Sequence, residues 1–244
     1  MQRREISQMA DVWIAPRVIM TGLVLATALM ASAAIAHDIG GHDAAFVAAT
    51  RGPAPGPFIY LGGKHMMTGI DHLLFLLGVI FFLRRFREVL LYVSLFALGH
   101  SITLLSGVLL GFGFNSFLVD AAIGLSVVYK AFDNVGGFET LLQRRPDPRW
   151  MVLGFGLVHG LGLATKLAAL HLNREGLLVN LAAFNVGVEI GQVIALSLLL
   201  AALALWRKTR FFNSTALSAN GIIMTAGFVL TGYHICGYIL GGKS

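Results

Sequence analysis

Residues 177–206, LLVNLAAFNVGVEIGQVIALSLLLAALALW, decide the fold. The run is longer than the ~20 mostly apolar residues with which a helix crosses the hydrocarbon core of a bilayer. Glu189 is its only charged member. A helix that is apolar all round must be buried in a large core or in lipid. We therefore predict that this segment spans a membrane.

The whole chain has the composition of a membrane protein. Of its 244 residues, 57% are hydrophobic and 12% are charged, whereas soluble domains carry about 25% charged residues. Mean hydropathy is +0.78. We predict an all-α bundle of six membrane-spanning helices, at roughly 66–83, 88–110, 116–133, 150–169, 177–206 and 216–240.

The N-terminal region has the features of an export signal. Basic residues at positions 3, 4 and 17 precede an apolar stretch, and the sequence AIA at 34–36 matches a small-x-small cleavage pattern. Residues 1–36 are thus predicted to be a signal peptide cleaved after Ala36, the alternative being an uncleaved first helix. Residues 37–64, rich in Gly and Pro, are predicted to form an extracytoplasmic arm before a transmembrane domain over 65–244.

Basic residues distinguish the two sides of the predicted membrane. The net charge of +6 comes from short loops and serves as a topology signal, so nucleic acid is not an expected partner. With the mature N-terminus outside, the loops predicted to be cytoplasmic hold nine basic residues: Arg84, Arg85, Arg87, Arg144, Arg145, Arg149, Arg207, Lys208 and Arg210. The outer segments hold four, so both mature termini are predicted to be periplasmic.

Several ionisable side chains lie within the predicted spans. Such groups cost several kcal/mol in a bilayer, and they usually face the bundle interior and mark function. The candidate metal ligands are His65, Asp71, His72, His100, His159, Glu189 and His234. The alternative is that each only holds helices together by hydrogen bonding. Asp120 and Lys166 are predicted to be interfacial, and Lys130 and Asp133 to pair or to snorkel.

Helical spacing places some of these groups together. His65 and His72 are seven residues apart and share one helix face. Asp71 could orient the His72 imidazole through a hydrogen bond. His100, His159 and Glu189 are expected near mid-depth. Imidazoles with carboxylates suit zinc, nickel, copper and iron. A Cys-based metal site is not plausible, because Cys236 is the single cysteine.

Four motifs resemble one known family. They are HMMTGIDHLL at 65–74, FALGHSITL at 96–104, FGLVHGLG at 155–162 and FNVGVEIGQ at 184–192. The first is similar to the H-x5-D-H signature of the HupE/UreJ family, and the others resemble its second branch. The resemblance implies a small bacterial cytoplasmic-membrane protein, a hydrogenase or urease accessory protein and nickel (or cobalt) permease, whose partners are the bilayer, a metal ion and metalloenzyme maturation factors.

Three functions remain open at this stage. The first is a permease that captures a divalent cation at the outer histidines and passes it through His100, His159 and Glu189. The second is an intramembrane zinc hydrolase, with Asp71 or Glu189 as base and Ser101 assisting. The third is a non-catalytic assembly protein. Of these, a permease or accessory role is favoured over an enzyme, and convergence of three ligands on one point would instead favour hydrolysis.

Overall fold

The computed structural model describes residues 41–112, 114–170 and 173–241. The predicted signal peptide, its cleavage site and His37 lie outside the described residues. The described part of the chain is helical and contains no strand, which confirms the predicted all-α class. The helices are α1 (Gly41–Ala49), α2 (Pro55–Thr68), α3 (Ile70–Ile80), α4 (Phe86–Leu110), α5 (Ser116–Asn134), α6 (Gly137–Leu142), α7 (Pro148–Ala169), α8 (Leu177–Arg207) and α9 (Phe212–Gly241).

Four of these helices, α4, α7, α8 and α9, are long and apolar enough to cross a membrane. The other two predicted spans have a different form. The segment predicted as 66–83 is split at Gly69 into the end of α2 and the short apolar helix α3. Helix α5 has 19 residues but carries three charged side chains, those of Asp120, Lys130 and Asp133. The protein is thus a helical membrane protein with four clear candidate spans.

The segment predicted as an arm is largely part of the bundle. Residues 41–49 and 55–68 are helical, and α2 packs along α8. The packing is tight, because a Cβ atom added to Gly191 would lie 2.8 Å from the Gly63 carbonyl oxygen. The Asn180 side chain also accepts a hydrogen bond from the Ala54 amide at 2.7 Å and donates one to the Gly52 carbonyl at 3.0 Å. Glycines and prolines here start and pack a helix rather than forming a loose arm.

Two further helix pairs approach closely through glycine. In the α4–α7 pair, a Cβ atom on Gly99 would lie 2.5 Å from the Leu153 carbonyl oxygen, and Gly160 lies against the His100 backbone. In the α5–α9 pair, a Cβ atom on Gly227 would lie 2.9 Å from the Val128 amide nitrogen. Small residues allow such approaches where lipid supplies no hydrophobic drive between helices. The α4–α7 contact matters most, because it carries two of the candidate histidines.

The basic residues gather at one end of the bundle. Arg207, the last residue of α8, donates to the Ile80 and Phe81 carbonyl oxygens at 2.8 and 2.6 Å, where α3 ends. Arg145, in the loop before α7, pairs with Asp133 near the end of α5 at 3.0 Å. The loops that hold the nine basic residues therefore lie at the same end, which we call the basic end.

Candidate metal site

Three histidines from three successive helices converge inside the bundle. His65 lies on α2, His72 on α3 and His100 on α4. One ring nitrogen from each lies within 4.8 Å of the other two. The His72 and His100 side chains are almost fully buried, with 2% and 1% of their surface exposed, and His65 is partly buried. The sequence-based prediction named all three as candidate metal ligands.

The break at Gly69 explains how His65 and His72 come together. On one continuous helix, seven residues separate two side chains by about 10 Å along the axis. In the structure the two ring centroids are 5.1 Å apart. A Cβ atom at Gly69 would lie 2.8 Å from His72 Nδ1 and 3.1 Å from Asp71 Oδ1. Glycine at this position therefore leaves room for the Asp71–His72 pair between the two helices.

Asp71 fixes the orientation of His72. Its Oδ1 lies 3.0 Å from His72 Nδ1, and both side chains are buried. When the Asp71 carboxylate is ionised it can only accept, and His72 Nδ1 then carries the proton while Nε2 carries the lone pair. His72 Nε2 has no hydrogen-bond partner among the described residues. A carboxylate–histidine pair of this kind is the usual outer support of a metal-binding imidazole.

His159 on α7 adds a fourth imidazole. Its ring centroid is 5.0 Å from that of His72, and it is 1% exposed. The Nδ1 atom lies 2.8 Å from the Phe155 carbonyl oxygen one turn earlier, so Nδ1 donates and Nε2 is the basic nitrogen. We refer to His65, His72, His100 and His159 as the histidine site.

Aromatic rings and a small cavity complete the surroundings. Phe96 lies against both His72 and His159, with ring centroids 6.2 and 5.0 Å away, and Phe75 lies 5.3 Å from His159. A cavity with about 10 Å³ of water-accessible space touches three of the four histidines, close to the least that a single water needs. Space for one small ligand is thus built into an otherwise close-packed interior.

The histidine site fits a divalent transition metal. Three atoms within 4.8 Å of one another lie within about 2.8 Å of a common point, against ~2.0–2.1 Å for a zinc–imidazole bond. Movements of less than an ångström would therefore bring the three nitrogens to bonding distance. Neither ring nitrogen of His100 has a hydrogen-bond partner among the described residues. Buried polar atoms normally have a partner, and a bound cation would provide one.

Comparison with known proteins agrees with the four sequence motifs. The family description "HupE / UreJ protein" matches residues 41–241. The chain belongs to the HupE/UreJ family. Searches of curated proteins and of solved structures found no match. Family membership makes the chain a membrane accessory protein of the hydrogenase and urease type, and its apolar helices agree with that placement.

Two of the predicted ligands do not join the histidine site of this HupE/UreJ protein. Glu189 is exposed on α8 and does not line the cavity. The His234 side chain is 13% exposed, and its Nδ1 lies 3.8 Å from Asp120 Oδ2. Neither residue belongs to the converging group of His65, His72 and His100. Of the predicted mid-membrane set, the structure brings His100 and His159 together with His72 and leaves Glu189 apart.

The structure also places two residues in the cavity wall that the sequence-based prediction assigned to the interface. Asp120 is buried, with 6% of its surface exposed. Its Oδ2 lies 3.0 Å from the Lys166 ammonium, whose side chain is 18% exposed. Both residues line the same cavity as His65, His72 and His159. Their positions near helix ends suggested exposure, and the helix pairing that buries them was not visible in the sequence.

Proposed function

We propose that this HupE/UreJ protein binds one nickel-like divalent cation in the histidine site and carries it across the bacterial cytoplasmic membrane. The convergence of ring nitrogens from His65, His72 and His100 within 4.8 Å of one another supports binding of the cation, and the uncharged character of these ligands favours carriage over hydrolysis. A metal supplied in this way would serve hydrogenase- or urease-type enzymes, in keeping with the family. Zinc and cobalt share the same ligand preferences and are competing ions.

Some residues would bind the ion directly, and others orient the ligands or exclude water. His65, His72 and His100 supply nitrogens from three helices, and His159 supplies a fourth from α7. Asp71 holds His72 with its lone pair available, and Phe155 does the same for His159 through its carbonyl oxygen. The phenylalanine rings exclude water, which strengthens every interaction of the ion with its ligands.

The ligands suit a transported ion, which must be released after it has bound. Neutral imidazoles converge on the site, whereas Asp71 contacts His72 and does not belong to the converging group. Thiolates or several carboxylates would neutralise a divalent ion and hold it more strongly in a medium of low dielectric. Conduction requires binding that is strong enough for entry and weak enough for release.

Orientation follows from the basic end. Because short cytoplasmic loops carry an excess of Lys and Arg, we place the basic end in the cytoplasm and both mature termini in the periplasm. The α2–α3 pair and α5 would then complete six crossings. Cysteine substitutions at Arg85 and Arg210, in a Cys236→Ser background, should resist a membrane-impermeant thiol reagent in intact cells. Labelling of both sites from outside would contradict this orientation.

Metal accumulation tests the transport proposal. Cells that express the protein should accumulate more nickel than cells without it, and His72→Ala should abolish the excess. Glu139→Gln is a suitable control, since Glu139 is an exposed carboxylate at the basic end. Equal accumulation with and without the protein would end the proposal.

The same convergence favours a second candidate, an intramembrane zinc hydrolase, because such enzymes hold zinc with three ligands and keep one position open. The base predicted at Glu189 is exposed on α8, which leaves Asp71 beside His72. The two functions differ in metal retention. A hydrolase should be purified with one zinc per chain that exchanges slowly, whereas a permease should release its ion readily to a chelator.

A further inference from the structure

The cavity beside the histidine site has a charged wall opposite its imidazoles. Asp120 from α5 and Lys166 from α7 form an ion pair there, with 3.0 Å between carboxylate oxygen and ammonium nitrogen. Lys166 lies seven residues beyond His159 on α7, about 10 Å further from the basic end. The ion pair is therefore on the side of the cavity from which a periplasmic cation would arrive.

An ammonium group beside a cation site requires an explanation. Lys166 alone would repel a divalent ion, and the repulsion is strong where water is scarce. Asp120 cancels that charge in the observed arrangement. Asp120 is also the only carboxylate among the described residues that line this cavity.

We propose that Asp120 is the first ligand of the incoming divalent cation and that Lys166 acts as its gate, holding the carboxylate until the cation displaces the ammonium. The proposal rests on the metal-carrying function above and names the step before the histidine site. It also accounts for selection by charge. A monovalent cation competes with the ammonium on equal terms for Asp120, whereas a divalent cation is attracted about twice as strongly.

The two members of the ion pair should then have opposite effects on binding. Asp120→Asn leaves the ammonium unbalanced at the cavity and should weaken Ni²⁺ affinity by about tenfold or more. Lys166→Met removes the ammonium from beside the carboxylate, which keeps His234 Nδ1 at 3.8 Å, and should strengthen Ni²⁺ affinity by a similar factor. The double variant Asp120→Asn/Lys166→Met should lie within about threefold of the wild type, because both charges are gone.

Ni²⁺ affinity is measured on the purified full-length protein in detergent by competition with a chromophoric chelator, with Lys166→Arg as the control that keeps the ion pair. Equal losses in both single variants, or no change in either, would overturn the gate. Absence of Ni²⁺ binding by the wild type would overturn the proposed function together with this inference. Normal wild-type binding with unresponsive variants would overturn the inference alone.

If a variant does not fold, a measurement on the wild-type protein can still test the proposal. Ni²⁺ should displace the Lys166 ammonium from Asp120 and raise its labelling by an amine reagent several-fold, as read by mass spectrometry. Lys130 is the matched control, because its ammonium is also buried and lies 2.6 Å from Asp133. Labelling of Lys166 that stays constant, or falls in parallel with Lys130, would contradict displacement.

Discussion

Two of the polar clusters that the bundle buries differ in how their atoms are partnered. At the basic end, Asp133 binds the Lys130 ammonium at 2.6 Å and the Arg145 guanidinium at 3.0 and 3.2 Å. In the histidine site, His72 Nε2 and both nitrogens of His100 have no hydrogen-bond partner among the described residues. The first cluster is complete within the chain, whereas the second leaves lone pairs directed at one another.

This difference separates a structural role from a binding role. A buried network whose members are all satisfied stabilises one arrangement of its helices. A buried acceptor without a partner costs free energy, and under the proposed function a bound cation would supply the missing partner. Substitutions in the two clusters should therefore affect different measurements. Substitutions in the charged cluster of Lys130, Asp133 and Arg145 should change the stability of the protein. Substitutions in the histidine site should change its metal affinity.

The largest effect is expected from Asp133→Asn in the charged cluster. Removing this carboxylate leaves the Lys130 ammonium, 11% exposed, without its counter-charge, and breaking a buried pair costs about 3–5 kcal/mol. Denaturant unfolding in detergent should show this loss, while the folded fraction still binds one Ni²⁺ per chain. Glu139→Gln is the control, since this carboxylate is 63% exposed and such pairs contribute little. Similar stability of the two variants would remove the distinction between the clusters.

The next largest effect is expected from His100→Leu in the histidine site. Loss of a ligand should weaken Ni²⁺ binding by at least about a hundredfold, or ~2.7 kcal/mol. The metal-free protein should be as stable as the wild type or more stable, because an apolar side chain replaces unpartnered buried nitrogens. Chelator competition and thermal unfolding measure the two quantities. His234→Leu should retain the metal, and a destabilised His100→Leu variant with normal affinity would reverse the assignment.

Much of the fold could be predicted from the sequence, because crossing a bilayer leaves helices as nearly the only solution. Runs such as 177–206 predict helix α8 directly. The sequence did not predict the helix over Pro55–Thr68, since the two prolines and three glycines there are equally typical of a loop. Tertiary packing stabilises this helix, because glycines of α2 lie against the α8 backbone.

The histidines of the candidate site could be named from the sequence, but the distances between them could not. Rarity of ionisable groups in apolar runs was enough to single out His65, His72, His100 and His159. Helical periodicity could not show that Gly69 interrupts the helix and brings two rings to 5.1 Å. Periodicity also could not place Glu189, since the face that a helix buries depends on its neighbours. A glycine within the H-x5-D-H motif was the available signal for the break.

A smaller effect is expected from Asp71→Asn. The amide keeps the shape of the carboxylate but loses the charge that supports the His72 ligand, and substitution of a residue that orients a metal ligand typically costs 10–100-fold in metal affinity. We expect about tenfold for Ni²⁺, with little change in thermal stability. The result also tests the ligand assignment. A loss as large as that of His100→Leu would make Asp71 a direct ligand and enlarge the site to include a charge.

The smallest effect is expected from Glu189→Gln. The side chain is exposed on α8 and lies outside the cavity lining, so Ni²⁺ affinity should change by less than about twofold, within the usual range for a group that does not contact the ligand. Because Glu189 was predicted from sequence as a mid-membrane ligand, this variant decides between sequence pattern and packed geometry. A loss near that of His100→Leu would mean that α8 turns its carboxylate inward when metal binds. The histidine site would then gain the negative charge that its neutral imidazoles lack, and a tightly held ion would favour the hydrolase over the permease.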